Sequence, residues 1–193
     1  MDELKEEALV ALVRRAVEGE AEASHLLYQH FVARIFNFVI GLVRVKEDAE
    51  DITQDAFVQA FQNMHALKDL AKFEQWLYRI ARNEVYQRFR RKKTAEVPLD
   101  TELITSIAGD DSKRADPNPE DQCLGSELSK VIEGALSDLP LKMREVFILS
   151  VVHDKSYKEI SEIVNRSLLA VKTDIYRARV FAKDAIKKYT TRG

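Results

Sequence analysis

The sequence has little cysteine, proline or glycine. Cys123 is the single cysteine among 193 residues, so no disulfide can form within the chain, and a zinc site built from several cysteines is excluded. There are six glycines and four prolines, and three of the prolines fall between positions 98 and 119. These two residues are the strongest local breakers of helices, so the long stretches without them favour an all-helical protein.

Motifs for catalysis and for cofactor binding are also missing. No glycine-rich phosphate loop is present, and no Ser/His/Asp or Cys/His set is evident. The histidines at positions 25, 30, 65 and 153 are not spaced to place two on one helical face, which argues against a metal site. We therefore expect a protein that is not an enzyme and that takes no cofactor and no metal.

The sequence offers no segment that predicts membrane insertion or export. No apolar run approaches the roughly 20 residues that a membrane-spanning helix needs. Residues 1–7 are acidic and lack the basic and apolar parts of a signal peptide. We therefore expect a cytoplasmic protein.

A basic excess over the whole chain is absent too, because the net charge is −2, but the charges are unevenly distributed. Arg79–Lys93 holds seven Arg or Lys against one Glu, and Arg166–Arg192 holds eight against two Asp. Between them, Thr94–Gln122 holds eight acids against two bases. Two basic blocks separated by an acidic one indicate two contact surfaces for a polyanion.

The pattern predicts an all-α protein of two small helical domains joined by a flexible linker. The first domain, residues 1–93, has four helices: one ending at Gly19 in a left-handed cap, one over 21–43, one starting at Asp48 as its N-cap, and one over 71–92. The buried stripe of the second helix is predicted to comprise Leu27, Phe31, Ile35, Phe38 and Leu42. Residues 94–123 lose the helical period and contain three prolines, which is typical of a linker. The second domain, residues 124–193, has helices over about 125–137, 140–152, 156–164 and 167–188.

The end of the second domain has the pattern of a helix-turn-helix. Apolar residues at helical spacing would lock its two helices together: Ile160, Ile163, Val164, Leu168, Val171 and Ile175. Ser156 and Glu159 form a capping box, Asn165 tolerates the left-handed turn, and Ser167 caps a longer basic helix. The second helix of such a unit enters the major groove of DNA. One of its faces carries groups that suit bases and phosphates: Lys172, Thr173, Tyr176 and Arg177. The alternative is a plain helical hairpin with a solvated basic face.

The fourth helix carries a basic stripe with an interleaved aromatic ring and an amide. Its residues fall on one side at helical spacing: Arg79, Arg82, Asn83, Tyr86, Arg90 and Lys93. Cations can follow phosphates, a ring can stack on a base and an amide can contact a base edge, which suits single-stranded DNA. The alternative is an ordinary amphipathic helix whose Trp76 and Tyr78 lie in the core.

The third helix carries a polar, acidic stripe opposite its apolar lines. The stripe comprises Asp51, Gln54, Asp55 and Val58. Acids near the start of a helix are favoured by the helix dipole, which is a sufficient structural reason for them. Docking of a basic partner is equally compatible with the pattern.

Together these stretches resemble the extracytoplasmic-function (ECF) sigma factors, the smallest class of the bacterial sigma-70 family. The resemblance runs from about residue 8 to 188 and rests on 49–57, 76–83, 139–147, 156–160 and 171–179. It implies that Asp51, Gln54 and Asp55 bind the coiled coil of the largest subunit of RNA polymerase. It also implies that the helix around Asn83 and the loop 67–72 melt and read the −10 element, with Asn83 in the pocket for a flipped base.

For the second domain, the resemblance implies binding to the flap of the polymerase's second-largest subunit. It also implies readout of the −35 element through the face that holds Lys172 and Arg177. Many relatives are held inactive by an anti-sigma factor, so such a partner is expected. Positions 166–170 are bulkier than is common in the family and Asp174 replaces a residue that is more often basic or small, so the −35 preference stays open. An autonomous helix-turn-helix regulator that binds operators without polymerase is the alternative function.

Overall fold

The computed structural model describes residues 6–96, 134 and 138–190, without the side chains at 93–96, 185, 186 and 188–190. The chain divides into two units, residues 1–99 and 100–193. Within the described residues both units are helical and contain no strand, which confirms the all-α, two-domain prediction. Positions 97–123 of the predicted linker and most of the predicted helix 125–137 lie outside the described residues, and the predicted domain limits stay predictions.

The first unit holds four helices, and two 3-10 turns separate the third helix from the fourth. The helices are α1 (Glu6–Val17), α2 (Ala21–Val43), α3 (Lys46–Asn63) and α4 (Phe73–Glu96), and the turns are Met64–Ala66 and Leu70–Lys72. α4 runs to Glu96, so positions 94–96, which we had assigned to the linker, are helical. Helix α3 packs against both α2 and α4, and α1 packs against α2.

Gly19 ends the first helix in the manner expected from the sequence. Its φ of 91° lies in the region that favours glycine, and its N–H donates to the carbonyl oxygen of Ala16 over 3.0 Å. The prediction of a left-handed cap is therefore confirmed.

Helix α2 provides the centre of the first core. The predicted stripe is fully or almost fully buried and consists of Leu27, Phe31, Ile35, Phe38 and Leu42. By length and composition alone, α2 could also cross a membrane, with a mean hydropathy of 1.5 over its most apolar 18 residues. The expectation from the sequence that no apolar segment approaches a membrane-spanning helix was therefore too strong for α2. Since its apolar stripe packs against α3 and α4, we assign α2 to the core of this unit.

Asp48 does not cap helix α3, because the N-cap lies three residues earlier than predicted. The N-cap position is held by Val45 in extended backbone, while Asp48 lies in the first turn and is buried. The reason is its spacing: Asp48 continues the buried row of Ile52, Ala56 and Ala60 by one turn toward the N-terminus.

The described part of the second unit contains α5 (Leu141–Val151), α6 (Tyr157–Val164) and α7 (Leu168–Thr190). The predicted capping box is present: Ser156 Oγ accepts from the Glu159 N–H, and Glu159 accepts from the Ser156 N–H at 2.9 Å. Asn165 adopts the left-handed conformation (φ 52°, ψ 51°), and its N–H donates to the Ser161 carbonyl. The capping box therefore sets the start of α6, and Asn165 sets the turn between α6 and α7.

The core between α6 and α7 follows the predicted pattern at all but one position. Its buried members are Ile160, Ile163, Val164, Val171 and Ile175. Leu168, which we had placed with them, is 42% exposed. It stands at the first position of α7, where the helix has only just begun, and the turn places it outside the interface.

Candidate functional site

The cations of α4 are divided between two opposite faces of the helix. Arg79, Asn83 and Arg90 are exposed on one face. On the opposite face, Arg88 and Lys92 reach toward α3 and bind the carboxylate of Asp48. The basic block in the sequence therefore serves two purposes, one external and one internal.

Asp48 is the anchor of the internal face. Its Oδ1 accepts from Arg88 Nε at 3.1 Å, and its Oδ2 accepts from Lys92 Nζ at 2.5 Å. Burial by itself raises the pKa of this carboxyl, but the hydrogen bonds from Lys92 and Arg88 outweigh burial and hold the pKa below its ordinary value. A second polar link joins the same two helices where Gln59 Nε2 donates to the buried Glu84 Oε1 at 2.5 Å. These contacts fix α4 against α3.

The aromatic residue on the exposed side of α4 is already stacked. The Cζ atom of Arg82 lies 4.5 Å from the centre of the Tyr86 ring, which is within the range of a cation–π contact. Both side chains are half-buried. The guanidinium group of Arg82 therefore already lies over one face of the Tyr86 ring that was predicted to stack on a base. Lys93 belongs to the same helix, but its side chain lies outside those described.

The acidic stripe on α3 is fully outward. Asp51, Gln54, Asp55 and Val58 are all exposed, and Val58 is an apolar side chain 53% exposed among them. Asp51 lies 3.8 Å from Arg88, so it also borders the internal ion-pair cluster. A polar stripe with one apolar residue at its C-terminal end suits a protein partner, because it offers both charge and a small area to bury.

The connection between α3 and α4 is stabilised by the side chain of one of its own residues, Asp69. Asp69 Oδ1 accepts from the N–H of Ala71 at 3.1 Å and starts the short turn Leu70–Lys72. The predicted strand-binding loop 67–72 therefore leads directly into Phe73, which is buried at the start of α4. The loop therefore directly precedes the helix whose exposed face carries Arg79 and Asn83.

Helix α7 places most of the predicted groove-facing residues outward. Lys172, Tyr176 and Arg177 are exposed, and Tyr176 is 69% exposed. Thr173 is half-buried, and its hydroxyl donates to the Leu169 carbonyl at 2.9 Å. Ser167 is exposed and acts as the cap, with its Oγ accepting from the Ala170 N–H at 3.3 Å. Of the five residues predicted to contact the −35 element, Ser167 therefore caps the helix, and the other four lie on one side of it.

Asp174 does not belong to that side. It is buried, and its Oδ2 accepts a hydrogen bond from Arg166 in the turn. Arg166 is further held by the turn itself, because its N–H donates to the Ser161 carbonyl at 3.1 Å and its own carbonyl accepts from Ser161 Oγ at 2.6 Å. Asp174 and Arg166 therefore brace the turn.

Two parts of the chain match known families. Residues 27–95 match the family described as Sigma-70 region 2, and residues 129–181 match Sigma-70, region 4. The ECF RNA polymerase sigma factor SigW of Bacillus subtilis is 31% identical over 175 residues, which cover 86% of this chain and 90% of SigW. The chain belongs to the ECF sigma factors. SigM of the same organism is 31% identical over 79% of this sigma factor and 88% of SigM.

Two solved structures share the fold of this sigma factor. CnrH, solved in complex with the cytosolic domain of CnrY, has a TM-score of 0.68 and 22% identity, covering 93% of this chain and 97% of CnrH. RpoE of Bartonella quintana, solved with the anti-sigma factor NepR, has a TM-score of 0.62 and 20% identity, covering 84% of this chain and 96% of RpoE. At these identities the likeness shows the fold.

Sequence reasoning missed three features that spacing along a helix would have revealed. Asp48 stands four residues before Ile52 on a buried row, and Asp174 stands four before the buried Ala178. Leu169 stands four and seven residues before Thr173 and Tyr176, on the outward side of α7, and is 75% exposed. Within the described residues, no group of three or more His, Cys, Asp or Glu is arranged to hold a metal ion.

Proposed function

We propose that this sigma factor divides its work among three exposed helix faces. The α3 stripe of Asp51, Gln54, Asp55 and Val58 binds the coiled coil of the largest subunit of core RNA polymerase. The outer face of α4, with the loop 67–72, melts and reads the −10 element. The outward side of α7 reads the −35 element in the major groove, while its unit rests on the flap of the second-largest subunit.

The observation that carries the proposal is the division of cations on α4. If the basic block served only to hold the first unit together, its cations would point toward α3. Instead, Arg79, Asn83 and Arg90 are exposed. It is the opposite face of α4 that is bonded to α3, where Asp48 binds Arg88 and Lys92. An exposed run of guanidinium groups beside an amide suits a phosphate backbone with an unpaired base at its edge. Arg82 and Tyr86 extend this face as a stacked pair, with Lys93 in the last turns.

The polymerase-binding role of α3 can be tested by reversing its charge. Asp51→Arg combined with Asp55→Arg should abolish co-purification with core polymerase and run-off transcription, because a basic stripe would repel the surface that an acidic one attracts. The matched control is Glu18→Arg with Glu22→Arg, which changes two exposed acids of the same unit by the same charge. Circular dichroism should show unchanged helix in both. Retained co-purification of the Asp51/Asp55 variant would place the docking face elsewhere.

Readout by α7 can be tested by removing its cations one at a time. Lys172→Ala or Arg177→Ala should weaken binding to the −35 element by roughly 1–3 kcal/mol if each contacts a base. Lys158→Ala is the matched control, because Lys158 is an exposed lysine on α6. Unchanged promoter strength in both α7 variants would refute their assignment.

An anti-sigma factor is the expected inhibitory partner. Within the described residues, Phe147, Val151 and Ala182 form the floor of a groove between α5 and α7, and Arg179, Lys183 and Lys187 line its edge. An apolar floor with a basic edge suits an amphipathic, acidic helix. The RpoE of Bartonella quintana was solved in complex with an anti-sigma factor, NepR. Val151→Asp should therefore weaken inhibition by the product of a neighbouring anti-sigma gene without reducing run-off transcription.

This sigma factor would act in the cytoplasm as a specificity subunit and would catalyse no reaction itself. The proposed division of the chain is 1–93 for polymerase and −10 contacts, 94–123 for the acidic linker and 124–193 for −35 contacts. Specific run-off transcripts from core polymerase plus the purified chain would support this function. An autonomous regulator would produce none.

A further inference from the structure

The outward side of α7 carries two large apolar or aromatic side chains that are mostly exposed. Leu169 is 75% exposed and Tyr176 is 69% exposed. They are seven residues apart, which is two helical turns, so they lie on the same side of the helix with Thr173 between them. Lys172 and Arg177 are exposed on either side of this line. Leu169 therefore stands at the centre of the face proposed to meet DNA.

Packing within the fold does not require a leucine at position 169. The buried side of α7 is made by other residues, among them Val171, Ile175 and Ala178. Leu169 is in the first turn, immediately after the Ser167 cap, where a helix in the major groove brings its side chains closest to base edges. Its exposure means that its apolar surface gains little from folding and stays available to a partner.

The face of α7 around Leu169 presents an apolar group along its middle and cationic groups at its sides. A leucine neither donates nor accepts a hydrogen bond, and the hydroxyl of Thr173 donates its hydrogen to the Leu169 carbonyl at 2.9 Å. In the major groove, the one apolar group on a base edge is the C5-methyl of thymine. The flanking Lys172 and Arg177 match guanine acceptors or phosphates on both sides of such a contact.

We propose that Leu169 reads a thymine C5-methyl group in the −35 element, with Tyr176 lining the same contact. This inference rests on the proposed function of α7. It makes thymine, rather than a hydrogen-bonding pattern, the requirement at one −35 position. It also assigns a purpose to the bulk of positions 166–170.

The experiment removes the methyl group and the leucine separately and together. Each thymine of the −35 element of a promoter that the reconstituted enzyme transcribes is replaced in turn by deoxyuridine, which lacks only the methyl group. Equilibrium binding of duplex promoter to core polymerase plus the full chain is then measured for the native protein, Leu169→Ala and Val152→Ala. Val152 is an exposed apolar residue outside α7, which makes it the matched control. Alanine is the best helix former, so Leu169→Ala should fold normally.

At one thymine, deoxyuridine should weaken binding by the native chain about fourfold, the effect of one buried methyl group. Leu169→Ala should lose a similar factor on the thymine promoter and be insensitive to the same replacement, while Val152→Ala should behave like the native chain. If Leu169→Ala still loses a further factor of about four on the deoxyuridine promoter, as the native chain does, the two effects are independent; Leu169 then contacts a protein or the backbone and the inference is wrong. If scrambling the −35 element has no effect on the native enzyme, the proposed function of α7 fails first.

Discussion

Removing two cations from α4 should have different consequences depending on the face of the helix from which they are removed. Arg79→Ala with Arg90→Ala removes two exposed guanidinium groups, whereas Arg88→Ala with Lys92→Ala removes the two partners of Asp48. Both double variants lower the net charge by the same amount, and both change one helix. Any effect of charge alone would therefore be the same in the two.

The first double variant should change the salt dependence of DNA binding, whereas the second should change the stability of the fold. Each phosphate contact on a single strand contributes about 0.7 to the slope of log affinity against log salt concentration, so the Arg79/Arg90 variant should have a slope shallower by about 1.4. Between about 50 and 200 mM salt, its affinity would fall roughly sevenfold less than that of the native chain. The Arg88/Lys92 variant should keep the native slope. It should instead lose about 1–3 kcal/mol of stability, because Asp48 is left buried without its hydrogen-bond donors.

The assay is fluorescence anisotropy of a labelled single-stranded −10 oligonucleotide with core polymerase plus the full chain, titrated at several salt concentrations. Thermal unfolding of each chain alone gives the stability. If the Arg88/Lys92 variant showed the shallower slope and the Arg79/Arg90 variant the lower melting temperature, the division of α4 into a DNA face and an internal face would be refuted. Equal slopes in all three proteins would also contradict it.

Three further outcomes follow from individual contacts. Because the pKa of the folded Asp48 carboxyl lies below its unfolded value near 3.8, its stabilisation is present above that value and is lost as pH falls through the folded pKa. Asp48→Asn should therefore flatten the loss of stability below about pH 4 in urea titrations, and parallel curves for variant and native chain would show that Asp48 is not responsible. Asn165→Val should destabilise the chain by about 1–2 kcal/mol, because its backbone is left-handed, whereas Asn165→Gly should be nearly neutral; equal effects would mean that the turn relaxes. Ser156→Ala should cost about 1 kcal/mol by removing the capping box, while Lys158→Ala should stay within about 0.5 kcal/mol, and thermal melts that do not separate the two would count against the cap.

Local rules of helix geometry carried the sequence prediction of the fold. The breaker Gly19 and the capping pair Ser156 and Glu159 act within a few residues of themselves, so their effects can be worked out without tertiary contacts. The same holds for the buried stripe of α2, where the spacing of apolar residues alone determines which side is turned inward.

The errors arose where a charged residue occupied a position on a buried row. Asp48 was interpreted as a helix cap because aspartate favours that position, although its spacing from Ile52 placed it on the core side. Its partners, Arg88 and Lys92, are 40 and 44 residues away, and such a pairing depends on how α3 and α4 pack. The burial of Asp174 against Arg166 likewise required the geometry of the turn. Among the site residues, the stacking of Arg82 on Tyr86 could be anticipated from their four-residue spacing, but not the burial of both.

The Asp48 cluster limits how promoter preference can be transferred between sigma factors. Exchanging the whole of α4 for that of a relative would separate Asp48 from Arg88 and Lys92, so a chimera could fail through misfolding and be mistaken for one with altered recognition. A graft confined to Arg79, Asn83 and Arg90 would leave the cluster untouched. Alternatively, α3 and α4 can be moved as one block, which keeps the Asp48 carboxylate with the two cations that bind it.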